Sequence, residues 1–331
     1  MRKISICIPC YNEEQNLIPL YNKLVKETEK LKNYKFEYIF SDNASTDRSE
    51  EILKSLAKTD SRVKVIINTK NWGPNRNCSN AIFHATGDAV ITFPADLQTP
   101  ICLVKRYIEA WENGSPVVMG VIDNSQESRL MFSVRSLYYK IIDTFSPFPV
   151  LPHVSGGGLF SKKVVDIIKN LDEPDPDFGL LISELGFSYK LVSYTQEKRK
   201  HGHSSYNLYR YLDQAINSFT ETSGNILRLI TLVGSFSIII CVIIFISIFV
   251  YKCFYWESFS AFSYLIANGL FLFGSVQLFF IGIIGEYLNL VIKRVKKRPL
   301  AVIRETVNFD MVQESDTDIE EGFYIHDQND H

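Results

Sequence analysis

Several features are scarce in this sequence, and each scarcity excludes something. No glycine-rich phosphate loop follows any apolar run. Neither GxGxxG nor GxxxxGK[ST] occurs, so neither a Rossmann dinucleotide site nor a P-loop is in prospect. Charge is nearly balanced. The 35 Lys and Arg against 37 Asp and Glu leave a net charge of −2, with no basic field to hold a nucleic acid. The six cysteines lack the spacing of a disulfide framework. Cys7 and Cys10 form a lone CxxC without the second pair that a zinc site needs, and buried strand positions are the plainer reading. Arg2 and Lys3 precede only a short apolar run that Pro9 ends, so the opening does not read as a secretory signal.

What is present divides the 331 residues unevenly. Residues 1–225 are mixed and punctuated by Pro, Gly and Asn, residues 226–292 are mostly apolar, and residues 293–331 turn first basic and then acidic. Between Arg228 and Lys252 about 23 residues carry no charge, and between Glu257 and Glu286 about 28 carry none. Each stretch is long enough to cross a bilayer core, which predicts transmembrane helices over about 229–251 and 260–285. The short link between them is aromatic (Tyr251, Phe254, Tyr255, Trp256, Phe259), as suits a headgroup interface. Lys293, Arg294, Lys296, Lys297 and Arg298 follow the second span, whereas the link holds only Lys252. The positive-inside rule therefore places the N-terminal domain and the tail in the cytosol, with the chain integral to a bacterial inner or plasma membrane. Gly269, Gly274, Gly282 and Gly285 admit close helix approach and with it a homo-oligomer.

The N-terminal region alternates apolar runs with helical spacing. Runs at 4–9, 36–40, 63–67 and 89–93 predict strands. The apolar repeats at 17–31, at 52–56 and around 81–85 predict helices. This order predicts an α/β domain with a mostly parallel sheet. Most of the runs end in polar clusters: Tyr11-Asn12-Glu13-Glu14, Asp42 to Asp47, and Ala95-Asp96-Leu97-Gln98. Ligands in open α/β sheets bind outside the carboxyl ends of the strands, so Tyr11, Glu13, Asp42 and Asp96 are expected to line one crevice. A hard divalent ion on Asp96 and Gln98 would offset the charge of a phosphorylated ligand there, although acidic and amide residues at strand ends also serve as helix caps and turns.

The ordered series Pro9-x-Tyr11-Asn12-Glu13-Glu14, Asp42-Asn43-Ala44-Ser45-Thr46-Asp47, Gly87-Asp88, Ala95-Asp96-Leu97-Gln98 and Arg199-x-x-Gly202-x-Ser204 resembles the inverting family 2 glycosyltransferases of GT-A fold. Their polyprenyl-phosphate branch, with the dolichol-phosphate mannose synthases and bactoprenol glucosyltransferases, is similar over about residues 4–307, including Gly285-Glu286-Tyr287 and Lys297-Arg298-Pro299-Leu300. The resemblance implies a nucleotide-sugar donor, a polyprenyl phosphate acceptor such as undecaprenyl phosphate, and Mg2+ or Mn2+. UDP-glucose is the commonest donor in that branch. Donor contacts would come from Pro9, Tyr11, Glu13, Phe40, Asp42, Ala95, Asp96, Gln98, Ser204 and Ser205. The metal would sit on Asp96 and Gln98, and Asp96 and Arg199 would be catalytic. Arg129 and Arg135 would face the acceptor, and residues 147–158 read as a mobile loop nearby or as an ordinary linker.

The sequence departs from that pattern in places. Pro94 stands where an aspartate is usual, with Asp88 or a water as a substitute. Asn43 replaces a second acidic residue, and Ser205 replaces a lysine near which His201 and His203 lie. The rival readings are a glycosyltransferase that extends another glycan or lipid acceptor, and a catalytically impaired membrane scaffold of the same fold. The Gln-x-x-Arg-Trp motif of processive synthases does not occur.

Overall fold

A computed structural model of the chain describes residues 1–124, residues 154–197 apart from 172 and 174, residues 299–309, and isolated helical positions between 243 and 295. Eight strands form one sheet. They are β1 (Arg2–Cys10), β2 (Tyr34–Asp42), β3 (Val63–Asn68), β4 (Ala89–Thr92), β5 (Val117–Asn124), β6 (Val154–Ser161), β7 (Tyr189–Thr195) and β8 (Ile303–Val307). Their spatial order is β7-β5-β6-β4-β1-β2-β3-β8. The pairs β1–β2, β1–β4, β2–β3 and β5–β7 are parallel, whereas β4–β6, β5–β6 and β3–β8 are antiparallel. The α/β reading holds, and the sheet is mostly parallel but mixed.

Strand side chains alternate between faces, so each strand feeds two cores. On one face Ile4, Ile6, Ile8, Tyr38, Phe40 and Val65 meet three helices: α1 (Glu14–Thr28), α2 (Ser49–Thr59) and α4 (Leu103–Glu112). On the other, Cys7, Ile39, Ile66, Val90 and Phe160 meet α3 (Pro74–Phe83), α5 (Lys162–Lys169) and α6 (Phe178–Glu184). Apolar positions repeat at helical spacing, as with Leu17, Leu20 and Leu24 of α1, which bury one stripe and leave Lys23 and Lys26 outward. Cys7 and Cys10 are three apart on β1 and fall in opposite cores, and burial pushes both thiols well above their ordinary pKa. They are strand residues, as their sequence context suggested.

Three features of the sheet differ from the sequence reading. Residues 154–158, expected in a mobile loop, are strand: Val154 pairs with Val121, and Gly158 pairs with Met119 and Thr92. The glycine serves close packing, since a Cβ at Gly158 would lie 2.6 Å from Val118 O. Residues 147–153 are outside the described residues. Second, part of the C-terminal tail returns to the domain. β8 closes the edge of β3 and is tied down by Lys54 to Glu305 at 2.6 Å, by Arg304 to Glu50, and by Asn308 Nδ2 donating to Ala57 O and Val63 O. An otherwise open strand edge is thereby covered. Third, the helix around 81–85 starts earlier, at Pro74, where proline is suited to a first turn and Gly73 enters at φ 91°.

Among the described residues, no helix is long and apolar enough to cross a membrane. The expected spans fall outside the described residues except at single helical positions. There Ile243, Leu270 and Ile281 are exposed, as are Phe254 of the link and Val295 beyond the second span.

Candidate active site

The parallel strands β4, β1, β2 and β3 bring their carboxyl ends side by side, and the loops after them form one edge. Two of these loops are stitched together across about thirty residues of sequence. The Asn12 N–H donates to Ser45 Oγ at 2.9 Å, the Glu13 N–H to Ser49 Oγ at 3.0 Å, and the Glu14 N–H to Asp47 Oδ2 at 3.1 Å. In return the Thr46 N–H donates to Asn12 Oδ1 at 2.8 Å and the Arg48 N–H to Glu14 Oε2 at 3.1 Å. The entrances to α1 and α2 thus share caps across the two loops, with a local bond added at α2, where the Ser49 N–H donates to Asp47 Oδ1 at 2.9 Å.

Asp42 ends β2 inside this junction with its residue fully buried. The Ser45 N–H donates to Oδ2 at 3.0 Å, and Ser45 Oγ donates to Oδ1. Burial pushes the Asp42 pKa above the ordinary value. The Ser45 bonds oppose this, and the nearby carboxylates of Glu50 and Asp47 add to it. Pro9, Tyr11 and Glu13 are half-buried at the end of β1 and the entrance to α1, and Glu13 Oε2 accepts from Asn16 Nδ2 at 2.5 Å. Phe40 stands two residues before Asp42 on the same face, but its side chain is wholly in the core with Ile8 and Leu20. It can shape the pocket floor only through that packing.

After β4 the chain keeps pairing through Phe93 N–H to Cys7 O at 2.9 Å, then turns through Ala95 and Asp96. Ala95 is buried and Asp96 is half-buried, with Asp96 Oδ1 accepting from the Gln98 N–H at 3.1 Å. The Gln98 amide reaches across to the segment after β7. Its Nε2 donates to Glu197 O at 3.3 Å, its Oε1 accepts from Gln196 Nε2 at 3.4 Å, and the Glu197 N–H donates to Gln98 O at 2.9 Å. Among the described residues no group of three or more His, Cys, Asp or Glu could hold a metal. Asp88 does not make up for Pro94. It precedes β4 at the opposite end of the strand, where the Lys3 N–H donates to its Oδ2 at 2.8 Å.

Backbone strain collects at this edge. Asn12 at φ 56°, Ala44 at φ 58° and Leu97 at φ 59° adopt the left-handed conformation, one in each of the loops after β1, β2 and β4. Such conformations are costly for residues other than glycine and tend to gather where a site needs a particular loop shape.

The structure brings Pro9, Tyr11, Glu13, Asp42, Ala95, Asp96 and Gln98 to one edge of the sheet. Arg199, Ser204, Ser205, Arg129 and Arg135 are outside the described residues. Sequence reasoning missed the loop after β3, residues 69–73, which joins the same edge through Asn43. The signal for it in the sequence is the density of asparagines at 68, 71, 75, 77 and 80.

The chain is similar to several known proteins. A family model described as Glycosyl transferase family 2 matches residues 5–167. A bactoprenol glucosyl transferase of Shigella phage SfX is 32% identical over 91% of this chain and 99% of its own length. A putative glycosyltransferase, CsbB, of Bacillus subtilis is 32% identical over 91% of both. A solved structure of glucosyl-3-phosphoglycerate synthase from Mycobacterium tuberculosis, in complex with Mn2+, uridine diphosphate and phosphoglyceric acid, is 17% identical. It aligns over 66% of this chain and 76% of that one with a TM-score of 0.45.

Proposed function

The chain belongs to glycosyl transferase family 2 and is a glycosyltransferase; from that premise we propose that it transfers glucose from UDP-glucose to a polyprenyl phosphate, with inversion, at the cytosolic face of a bacterial membrane. The carrying observation is the end-to-end similarity to a protein named bactoprenol glucosyl transferase, which spans the acceptor-side and apolar regions as well as the donor edge.

The donor nucleoside rests on the β1–α1 and β2–α2 junction, where Pro9, Tyr11 and Glu13 flank it and Asp42 accepts a hydrogen bond from the base. Asp96, a half-buried carboxylate on the turn where Leu97 is left-handed, would hold Mg2+ or Mn2+ through its single acidic group. A bound ion would supply stabilisation of charge on the leaving diphosphate. Gln98 is the weaker ligand, because both ends of its amide are engaged with residues 196 and 197. Those contacts instead brace the segment that leads to Arg199, whose planar guanidinium suits a phosphate group.

The acceptor phosphate is already anionic at neutral pH and needs no strong base. Its oxygen forms a bond to the anomeric carbon as the bond from that carbon to the diphosphate oxygen breaks, and the electron pair leaves with UDP. One displacement inverts the anomeric centre. The work left to the protein is alignment.

Residues 1–225 form the cytosolic catalytic domain in this reading, residues 226–292 a membrane hairpin and residues 293–331 a cytosolic tail. The sheet supports that topology. Strands before and after the apolar region belong to one sheet, so any crossing between them must be even in number. The exposed apolar side chains of Ile243, Leu270 and Ile281, within the two apolar stretches, suit lipid contact. The test is purified full-length protein with Mg2+ or Mn2+, a panel of labelled nucleotide sugars and undecaprenyl phosphate. Label should enter the lipid fraction with UDP-glucose, with inverted anomeric configuration, and Asp96→Asn should abolish it. Absence of lipid label with every donor would overturn the reading, and an active Asp96→Asn would remove the metal assignment.

A further inference from the structure

Beneath the carboxyl edge, between β2, β3 and α3, lies a connected set of side-chain amides. Asn43, Asn68, Asn77 and Asn80 are each at most 4% exposed. Asn80 Nδ2 donates to Asn68 Oδ1 at 3.1 Å, and Asn68 Nδ2 donates to Asn77 Oδ1 at 2.9 Å. Asn77 Nδ2 donates to Ser41 O at 2.9 Å, and Ser41 Oγ donates back to Asn77 Oδ1 at 2.6 Å. Groups buried this deeply require partners, and these supply them to one another.

Asn43 is the member that faces the ligand edge. It directly follows Asp42, and its own N–H donates to Cys10 O at 3.0 Å, which ties it to β1. Its Nδ2 donates to Asn71 Oδ1 at 3.0 Å and to Gly73 O at 3.2 Å, while its Oδ1 accepts from the Trp72 N–H at 3.0 Å. One side chain therefore grips three successive residues of the loop after β3. The grip needs donors and an acceptor on one planar head, which an amide has and a carboxylate lacks. Gly73 in turn sets the start of α3 at its positive φ.

We propose that Asn43 is a positioning residue for the nucleotide: it holds residues 71–73 beside Asp42 as a wall of the nucleoside pocket, and its neutral amide makes that hold independent of pH. The proposal rests on the donor-site reading above. A carboxylate at position 43 would be buried and would directly follow the buried Asp42, whose own surroundings hold the carboxylates of Asp47 and Glu50. Lys70, held 4.2 Å above the Trp72 ring, is the cation of the loop itself. Burial and like charges would raise its pKa. Protonated, it would keep one donor and one acceptor and mimic the amide. Ionised, it would face Gly73 O and Asn71 Oδ1 with acceptors only.

The experiment is calorimetric titration of UDP into full-length Asn43→Asp and wild type from pH 5.5 to 8.5. Asp42 titrates in both proteins, so the ratio of their affinities is the readout. Asn43→Asp should bind UDP nearly as well as wild type at the acid end and roughly tenfold more weakly at the alkaline end. In turnover the loss should fall on the donor KM more than on kcat. A ratio constant across the range would overturn the proposal. Should Asn43→Asp not fold, Asn71→Ala decides: Asn71 is exposed, the change removes one of the gripping bonds, and unaltered UDP affinity would overturn the proposal as well. If wild type bound no uridine nucleotide, the donor-site reading itself would fall and this proposal with it.

Discussion

The strand β2 carries two buried acids, Glu37 and Asp42, five residues apart and at opposite ends of the sheet, and the protein treats them in opposite ways. Glu37 is surrounded by donors. Ser5 Oγ donates to it at 2.5 Å and the Thr86 N–H at 2.9 Å, with Lys3 Nζ at 2.7 Å and Lys64 Nζ at 3.0 Å. Burial alone would raise its pKa, but these partners outweigh burial and bring it to about 2. Asp42 is just as buried, yet its acceptor bonds come from the neutral Ser45, and the charges around it are acidic. The first acid is satisfied within the fold. The second takes only neutral partners, and in the proposed donor site the base would add one more donor. The acid with cations around it supports the fold, and the acid without them is the one in the proposed donor site.

Substitutions that exchange these roles should separate cleanly. Asp42→Asn should lower kcat/KM roughly 10- to 100-fold, because a base N–H would then meet an amide that has to reorient, while the melting temperature holds or rises. An unchanged donor KM would remove Asp42 from the nucleoside site. Glu37→Gln should do the reverse. It should cost roughly 2–3 kcal/mol of stability by leaving two lysines near a neutral group, with little change in turnover per folded molecule. A chemical denaturation series on the full chain checks this, and an unshifted midpoint would contradict the pairing.

The pH dependence sharpens the contrast. Glu37 has its folded pKa depressed, so its stabilising contribution is complete above its unfolded value of about 4.3 and is lost as pH falls toward about 2. Asp42 has its folded pKa raised, so its contribution is present below the unfolded value and is lost as pH rises through the folded one. Between pH 5 and pH 3, wild type should therefore lose more stability than Glu37→Gln. Parallel curves for the two would show that Glu37 is not the group responsible. The smallest effect is expected at Ala44. Ala44→Gly should relieve about 1 kcal/mol of left-handed strain. A small rise in melting temperature together with a modest increase in donor KM would fit a loop held in shape by that strain. A lower melting temperature would not.

Much of this was legible in the residues. The four parallel strands could be placed from apolar runs, and Tyr11, Glu13, Asp42 and Asp96 could be gathered at one edge from the rule for α/β sheets, because both depend on local periodicity and chain direction. Arg199, Ser204 and Ser205 had signals in their motif, though they lie beyond the described residues. The roles of Asn43 and Gln98 were not legible, since an amide in a loop reads the same whether it faces water or clasps a neighbour.

The sequence by itself determined the alternation of elements, the edge on which polar residues gather, and a long apolar region before a basic tail. Local propensity and hydrophobic period are written into neighbouring residues. Only the tertiary structure decided that residues 154–158 are strand, that β8 returns to cover β3, that Asp88 stands at the wrong end of β4, and that one buried acid on β2 is neutralised while the other is not. Each of these depends on which distant backbone or side chain comes within about 3 Å, a hydrogen-bond distance that sequence spacing does not set.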